Sequence, residues 1–258
     1  MSIYQHFRTE EHPFIDQVLS WRHKVENTYI QKLTDFLDPR EQQIVEAVIG
    51  SNNDIISFRF HGGNKSCERK RALIAPFYEE FTTEAFQLSL LEATFNDKFL
   101  SIDHRDVMGA FLSLGLERKK LGDIIIGKGV FQLIVAKEIR SYVILNLTMV
   151  KKAHVRLKEK PLTAILPRQM NWQQRECVVS SLRLDVVLKA MYKLSRQEAE
   201  QMIKKKQVKV NFKIVDDIAY YLQPGDLIST RQKGRGKLIQ VGSRTRKNNL
   251  KITLAQLK

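Results

Sequence analysis

The sequence predicts an α+β chain in three parts: an N-terminal α/β segment, a middle domain in which strands and helices alternate, and a C-terminal module of two helices followed by strands. Three observations carry this prediction. Helical spacing and period-two alternation succeed one another along the chain, turn and capping residues punctuate them, and charge is segregated. Of 258 residues, 43 are Lys or Arg and 28 are Asp or Glu, a formal charge of +15. Residues 1–150 sum to −2, so residues 151–258 hold +17. A uniform excess serves solubility, whereas a localised one marks a surface for polyanions. With 43% apolar residues the chain has enough material for two or three cores.

The elements follow in order. Phe14, Val18, Trp21 and Val25 recur at helical spacing, flanked by Ile15, Leu19 and Arg22, and predict a helix over 12–30. Asp38-Pro39-Arg40-Glu41 supplies an N-cap, a proline at the first helical position and a Glu three residues after the cap, opening a helix with Ile44, Val45 and Val48 on one face. Residues 55–60 read as a strand that runs into the turn His61-Gly62-Gly63-Asn64 and the charged stretch Glu68-Arg69-Lys70-Arg71. A boundary near 78 closes the first domain, 1–78.

In the second domain, 79–160, strands at 86–91, 123–126, 130–135 and 154–157 alternate with helices at 105–114 and 138–147. That order, β-α-β-β-α-β, is the split pattern of ferredoxin-like, RRM-like folds, many of which bind RNA on the sheet face. Lys128-Gly129-Val130-Phe131 matches only the first two positions of an RNA-recognition pattern, so Phe131 is assigned to the core. Residues 161–180 read as a polar, proline-marked connector.

The module over 181–258 carries the densest signals. Leu184, Val187, Leu188 and Met191 form one helical face, and Ser195-Arg196-Gln197-Glu198 is a capping box opening a second helix with Ala199, Met202 and Ile203 inside. Lys204, Lys205 and Lys206 close that helix at the negative end of its dipole. Val208, Val210 and Phe212 alternate with an exposed row of Lys209, Asn211 and Lys213. Gln223-Pro224-Gly225-Asp226 reads as a type II turn. It leads to a strand ending at Arg231 and a Gly-flexible loop with Lys233, Arg235 and Lys237. Cations so placed are expected to converge on a phosphate backbone. Arg244, Arg246 and Lys247 beyond them divide between RNA contact and a solvated basic tail.

The run Arg183-Leu184-Asp185, Leu194-Ser195-Arg196 with Ala199 and Ile203, Val208-Lys209-Val210-Asn211, and Gly225-Asp226 with Ile228 resembles the S4 RNA-binding domain over about 60 residues. The resemblance implies RNA-facing roles for Arg183, Ser195, Arg196, Lys204, Lys209, Asn211 and Arg231. Together with Gly62-Gly63, Glu68-Arg69-Lys70-Arg71-Ala72, Leu114-Gly115-Leu116 and Gly122-Asp123-Ile124, the whole chain resembles the bacterial YlmH family. That resemblance implies a ribosome-associated RNA-binding factor encoded near cell-division genes. Where the family pattern has Arg-Gly-x-Gly-Arg, this chain has Arg231-Gln232-Lys233-Gly234-Arg235.

Enzymatic alternatives fit less well. Arg183-Leu184-Asp185 is similar to the catalytic tripeptide of RNA pseudouridine synthases, but too few residues follow it for their catalytic domain. Gly122 to Lys128 has P-loop spacing, yet Gly129 stands where Ser or Thr is required and no helix follows. His61-Gly62-Gly63 lacks any G-x-S-x-G partner, and no Gly-rich loop of the methyltransferase kind follows an early strand. The six histidines show no metal-ligand spacing, and Cys67 and Cys177 are read as reduced thiols. No catalytic residue, metal or cofactor is therefore expected. No apolar run is long enough to span a bilayer and the N-terminal residues do not read as a signal peptide, so a cytoplasmic, non-membrane protein is expected, monomeric, gripping structured rRNA or tRNA on the large ribosomal subunit or a stalled translation complex. The competing expectation is a protein-interaction factor linked to cell division.

Overall fold

In the computed structural model, described over residues 3–50, 54–97, 101–168 and 171–257, the chain first forms helix α1 (His12–Thr28), strand β1 (Lys32–Leu37), helix α2 (Pro39–Ile49) and strands β2 (Ile56–His61) and β3 (Lys70–Pro76). Asp38 caps α2 as its sequence requires, accepting from the Arg40 and Glu41 amides. The sheet order is β1-β3-β2, antiparallel throughout. Both helices pack on it through Ile15, Val18, Val25, Ile44 and Val45, against Leu37, Ile56, Ala72 and Ile74. The buried stripe of α1 is thus Ile15-Val18-Val25, and Phe14 and Trp21 flank it as an edge-to-face pair 5.9 Å apart.

The charged stretch leads into β3, whose first residues are Lys70 and Arg71, and its arginines find carbonyl partners. Arg71, only 4% exposed, donates from Nε to the Thr34 carbonyl (2.6 Å) and from Nη1 to the Gln87 carbonyl (3.1 Å), and pairs with Glu138 at 3.3 Å. Arg69 donates to the Phe36 carbonyl (2.7 Å) and the Leu121 carbonyl (3.2 Å). The same contacts tie together the segments on either side of position 78. Residues Met1–Arg168 form one unit and Gln169–Lys258 a second. At the seam inside the first unit, Phe36 lies so close to Gly122 that a Cβ there would stand 2.6 Å from its ring.

The middle of the first unit comprises β4 (Leu88–Thr94), α3 (His104–Leu112), β5 (Leu121–Gly127), β6 (Val130–Ala136), α4 (Arg140–Asn146), the short hairpin β7 (Met149–Val150) and β8 (Ala153–His154), and β9 (Lys158–Lys160). The order β5-β6-β4-β9, with every neighbour antiparallel, is that of a ferredoxin-like sheet. Its last strand is 158–160, not 154–157, since His154 pairs instead with Met149. Helices α3 and α4 cover one face through Val107, Phe111 and Val143, and Phe131 is fully buried among them. The opposite face of the sheet is covered as well. Leu90, Ile125 and Ile134 on the opposite face pack with Phe36, Cys67, Leu162 and Ile165, so apolar side chains occupy the place where bases would stack.

Two histidines in this unit are held below their ordinary titration range. Burial is the main cause at His61, assisted by Lys70, and its Nε2 is buried without a hydrogen-bond partner. Burial also leads at His104, followed by Arg118 and Arg168 and opposed by Asp123 and Asp103. Each takes up its proton more readily when unfolded, near the ordinary 6.5, so stability is full above that pH and is lost as pH falls below it. The melting temperature is expected to drop between pH 7.5 and 5.5, and H61Q/H104Q to reduce the drop; an unchanged drop would contradict the assignment.

The second unit contains β10 (Trp172–Val179), α5 (Leu184–Tyr192), α6 (Arg196–Lys204), β11 (Val208–Val210), β12 (Lys213–Ile214), β13 (Leu227–Thr230), β14 (Gly234–Arg244) and β15 (Leu250–Leu257), with sheet order β10-β15-β14-β13-β11-β12. Two expectations change here. The segment expected as a connector ends in β10, whose eight residues all pair with β15, and Cys177 and Val179 at its end join the core. The basic tail is a β-hairpin whose Leu250, Ile252 and Leu254 join Leu184, Leu188, Met191 and Ile203 in the core. Gly236 is needed for that packing: an added Cβ would meet Met191 Sδ at 2.0 Å. Arg175 donates to the Ala190 and Met191 carbonyls, placing a cation at the negative end of α5. No helix among the described residues is long and apolar enough to cross a membrane.

Candidate nucleic-acid interface

The cations of the second unit divide into groups according to the elements that carry them. The first lies around the start of the helix pair, where Ser180, Ser181, Arg183, Lys189 and Arg196 line a shallow depression of about 330 Å³. Arg183 grips Asp185 through two hydrogen bonds (Nε to Oδ1 3.0 Å, Nη2 to Oδ2 3.2 Å). The carboxylate is 2% exposed, and this bond is the leading cause that raises the guanidinium pKa still further. Arg196 is 72% exposed and pairs one turn along with Glu200. An exposed i,i+4 pair of this kind is worth only about 0.3–0.5 kcal/mol, so Arg196 is readily released to a phosphate.

The second group lines a smaller depression of about 200 Å³ between α6 and the loop before β14, with Leu194, Glu198, Lys205 and Lys233 on its walls. Ser195 caps α6: its hydroxyl accepts from the Glu198 amide (3.2 Å) and its own amide donates to the Glu198 carboxylate (2.7 Å). These bonds, with Lys233 nearby, hold the Glu198 carboxyl below the usual carboxylate range. The hydroxyl of Ser195 therefore has a structural task. Lys204 and Lys205 are exposed at the end of the helix, and Lys206 follows with φ 55°.

The third group lies on the sheet face turned away from the helices. Lys209 is opposite Ser229, and Ser229 is opposite Arg235; directly opposed residues share a face and stand about 5 Å apart. Lys237, two residues beyond Arg235, lies on the same face. The expected row Lys209-Asn211-Lys213 is corrected by the turn inside it. Asn211 (φ 47°) and Phe212 (φ 69°) both take left-handed conformations, forming a type I′ hairpin turn that ends the alternation. Asn211 Nδ2 donates to Asp226 (2.7 Å) and Oδ1 accepts from the Leu227 amide (3.0 Å), so both ends of its amide tie this turn to the next. Lys213 is opposite Val210 and hence on the other face from Lys209. The full set of predicted cations does not converge on one patch: Arg183, Arg196, Lys204 and Lys205 belong to the helices, and Lys209, Arg235 and Lys237 to the outer sheet face.

Arg231 is exposed in the turn after β13. Gln232, where the family pattern has glycine, adopts φ 73°, so the left-handed geometry is kept at the cost of side-chain strain. Relief of about 1–2 kcal/mol against about 0.5–1 kcal/mol of backbone entropy makes Q232G stabilising by about 0.5–1 kcal/mol; a lower melting temperature would contradict this. Two contributors escaped the sequence reasoning. Lys189 lines the first depression, its signal being its position four residues after Asp185 on the solvent side of α5. Tyr221, 60% exposed, forms a backbone bridge with Arg183, setting an aromatic ring beside the cations.

Residues 82–164 match the family described as "Putative RNA-binding domain in YlmH", and residues 182–228 match the S4 domain. The chain is 40% identical over 256 residues to the "Ribosome-associated protein quality control protein P2" of Bacillus subtilis, covering 99% of each. It is also similar to the solved "Cell division protein ylmH from Streptococcus pneumoniae", with a TM-score of 0.55 and 28% identity over 63% of this chain and 98% of that one. An α+β chain in which an S4 domain follows the ferredoxin-like domain in sequence, and a relative matched over 99% of both chains, make this protein a member of the YlmH family.

Proposed function

We propose that this protein is a non-enzymatic RNA-binding factor that grips structured rRNA or tRNA on the ribosome, acting on the large subunit or on stalled translation complexes in the cytoplasm. The observation that carries this reading is the second unit's set of exposed cations on rigid helices and strands, within a region that matches the S4 domain. Such cations supply the sequence-independent, salt-sensitive part of RNA affinity. Arg183, Lys189 and Arg196 are assigned to phosphates, and Tyr221 to stacking on an unpaired base. The name of the Bacillus relative supports the ribosomal setting. Asp185 does not fit the nucleophile of a pseudouridine synthase, being buried and held by both arms of Arg183.

A second reading, a protein-interaction role connected with cell division, is favoured by the name of the Streptococcus structure and by exposed Tyr29, Ile30, Ile55, Phe77 and Tyr78 in the first unit. Sedimentation of cell lysate through a sucrose gradient at low and high salt separates the two. Co-migration with ribosomal particles at low salt and release at high salt is expected, and recovery only in soluble fractions at low salt would overturn the ribosomal reading.

A further inference from the structure

The hairpin β14–β15 lies beyond both regions matched to known families. No Asp or Glu follows Asp226, while nine Lys and Arg do. At the hairpin tip, Arg244, Arg246 and Lys247 are exposed, and Lys251 follows on β15. The tip is internally tied. The Thr245 amide donates to the Asn249 carbonyl (2.7 Å), the Asn248 amide to the Thr245 carbonyl (2.9 Å) and the Asn249 amide to Thr245 Oγ1 (3.1 Å). Arg244 Nη1 donates to Asn248 Oδ1 at 2.8 Å, leaving Arg246 and Lys247 as the outermost cations on a fixed turn.

Register places this tip. Val179, the last residue of β10, is opposite Leu250, the first of β15. Ser180 and Ser181, which line the depression with Arg183, Lys189 and Arg196, therefore continue from β10 at the same end of the sheet. Arg235 sits near the other end of β14, roughly 30 Å from Arg244 at about 3.3 Å per strand residue.

We propose that the β14–β15 tip, through Arg246 and Lys247, is an additional RNA-backbone site that acts with the Arg183–Lys189–Arg196 depression at one end of the unit; this rests on the RNA-binding reading above. Residues 242–249, Gly-Ser-Arg-Thr-Arg-Lys-Asn-Asn, present no apolar side chain. A membrane contact needs apolar groups to insert, and a protein interface needs an apolar or aromatic anchor at its centre, whereas a phosphate backbone needs cations and amide donors alone. The fixed turn removes part of the ordering entropy that a loose tail would lose on binding.

The test uses the full chain, two probes (washed ribosomal particles and a short RNA duplex) and a series of salt concentrations. R246A/K247A is expected to weaken binding to both probes and to reduce the magnitude of the log-affinity against log-salt slope by about 2. R246K/K247R retains the slope. An unchanged slope in R246A/K247A overturns the proposal while leaving the RNA-binding reading intact; absence of salt-dependent binding by the unmodified chain overturns that reading itself. Weaker binding to ribosomes with unchanged binding to the duplex assigns the tip to a ribosomal protein and also overturns the proposal. Thermal melts accompany each variant, and R246Q/K247Q takes the place of the alanine pair if that pair melts early.

Discussion

Replacing Asp123 by Ala is expected to destabilise the first unit by about 3–5 kcal/mol, the largest stability effect in the chain. Asp123, 9% exposed, accepts from the Glu68 amide (2.8 Å) and the Arg69 amide (3.0 Å), and lies 3.6 Å from Arg168. It is also one of two carboxylates acting on Arg118, whose pKa is lowered to about 10 by burial and then by Arg69, with Asp123 and Asp38 opposing. Arg118 itself donates to the Leu121 and Gly122 carbonyls. Removing the carboxylate leaves two amides without acceptors, at about 1–3 kcal/mol each, and concentrates buried positive charge, a change of about 3–5 kcal/mol when one partner of a buried pair is lost. The chain's two tryptophans make the measurement specific: Trp21 is in the first unit and Trp172 in the second. Urea unfolding of D123A in a W172F background, read by Trp21 fluorescence, reports the first unit, and a change below about 0.5 kcal/mol would contradict the role assigned to Asp123.

The largest effect on binding is expected from R196A/K209A/R235A. Each cation, if it neutralises one phosphate, accounts for about 0.9 of the salt slope on duplex RNA, so the triple variant should lose between 2 and 3 slope units, or about 2.7. Affinity should fall for every RNA sequence alike, because these contacts read the backbone and not the bases. The register of the hairpin adds a control that charge counting does not supply. Lys213 faces away from Lys209, so K213A should leave the slope intact. Asn211 is tied to Asp226 and Leu227, so N211A should lower the melting temperature of the second unit. If K213A and K209A reduce the slope equally, the division into faces is wrong.

Much of the fold was legible where local chemistry and tertiary position agree. The capping boxes at Asp38 and Ser195, the Pro224-Gly225 turn with Gly225 at φ 96°, and the β-α-β-β-α-β order all appear as read. The misreadings share a cause. Arg69 and Arg71 carry charge in sequence but are held by carbonyls from distant segments, Phe36, Leu121, Thr34 and Gln87. These arginines lie at the seam that joins the two sheets of the first unit. The alternation of Leu250, Ile252 and Leu254 in β15 stands among basic residues, and β10 becomes a strand only through pairing with residues some seventy to eighty-five positions away.

Within the candidate site, residue type was legible and direction was not. Lys209, Asn211 and Lys213 alternate in sequence as one row, yet two consecutive left-handed residues turn the chain between the first and the last. Gln232 shows the converse: a residue unlike the family pattern adopts the conformation that the pattern's glycine would take. Tyr221 carries no motif, and becomes a candidate only because a backbone bridge sets it beside Arg183.

The central claim is that the second unit is what grips RNA. Ultraviolet cross-linking of the full chain to washed ribosomal particles, with mass spectrometry of the nucleotide-bearing peptides, tests it most directly. Cross-linked peptides containing Arg183, Arg196, Tyr221 or Arg235 are the expected result. Cross-links confined to residues 1–168 would contradict it.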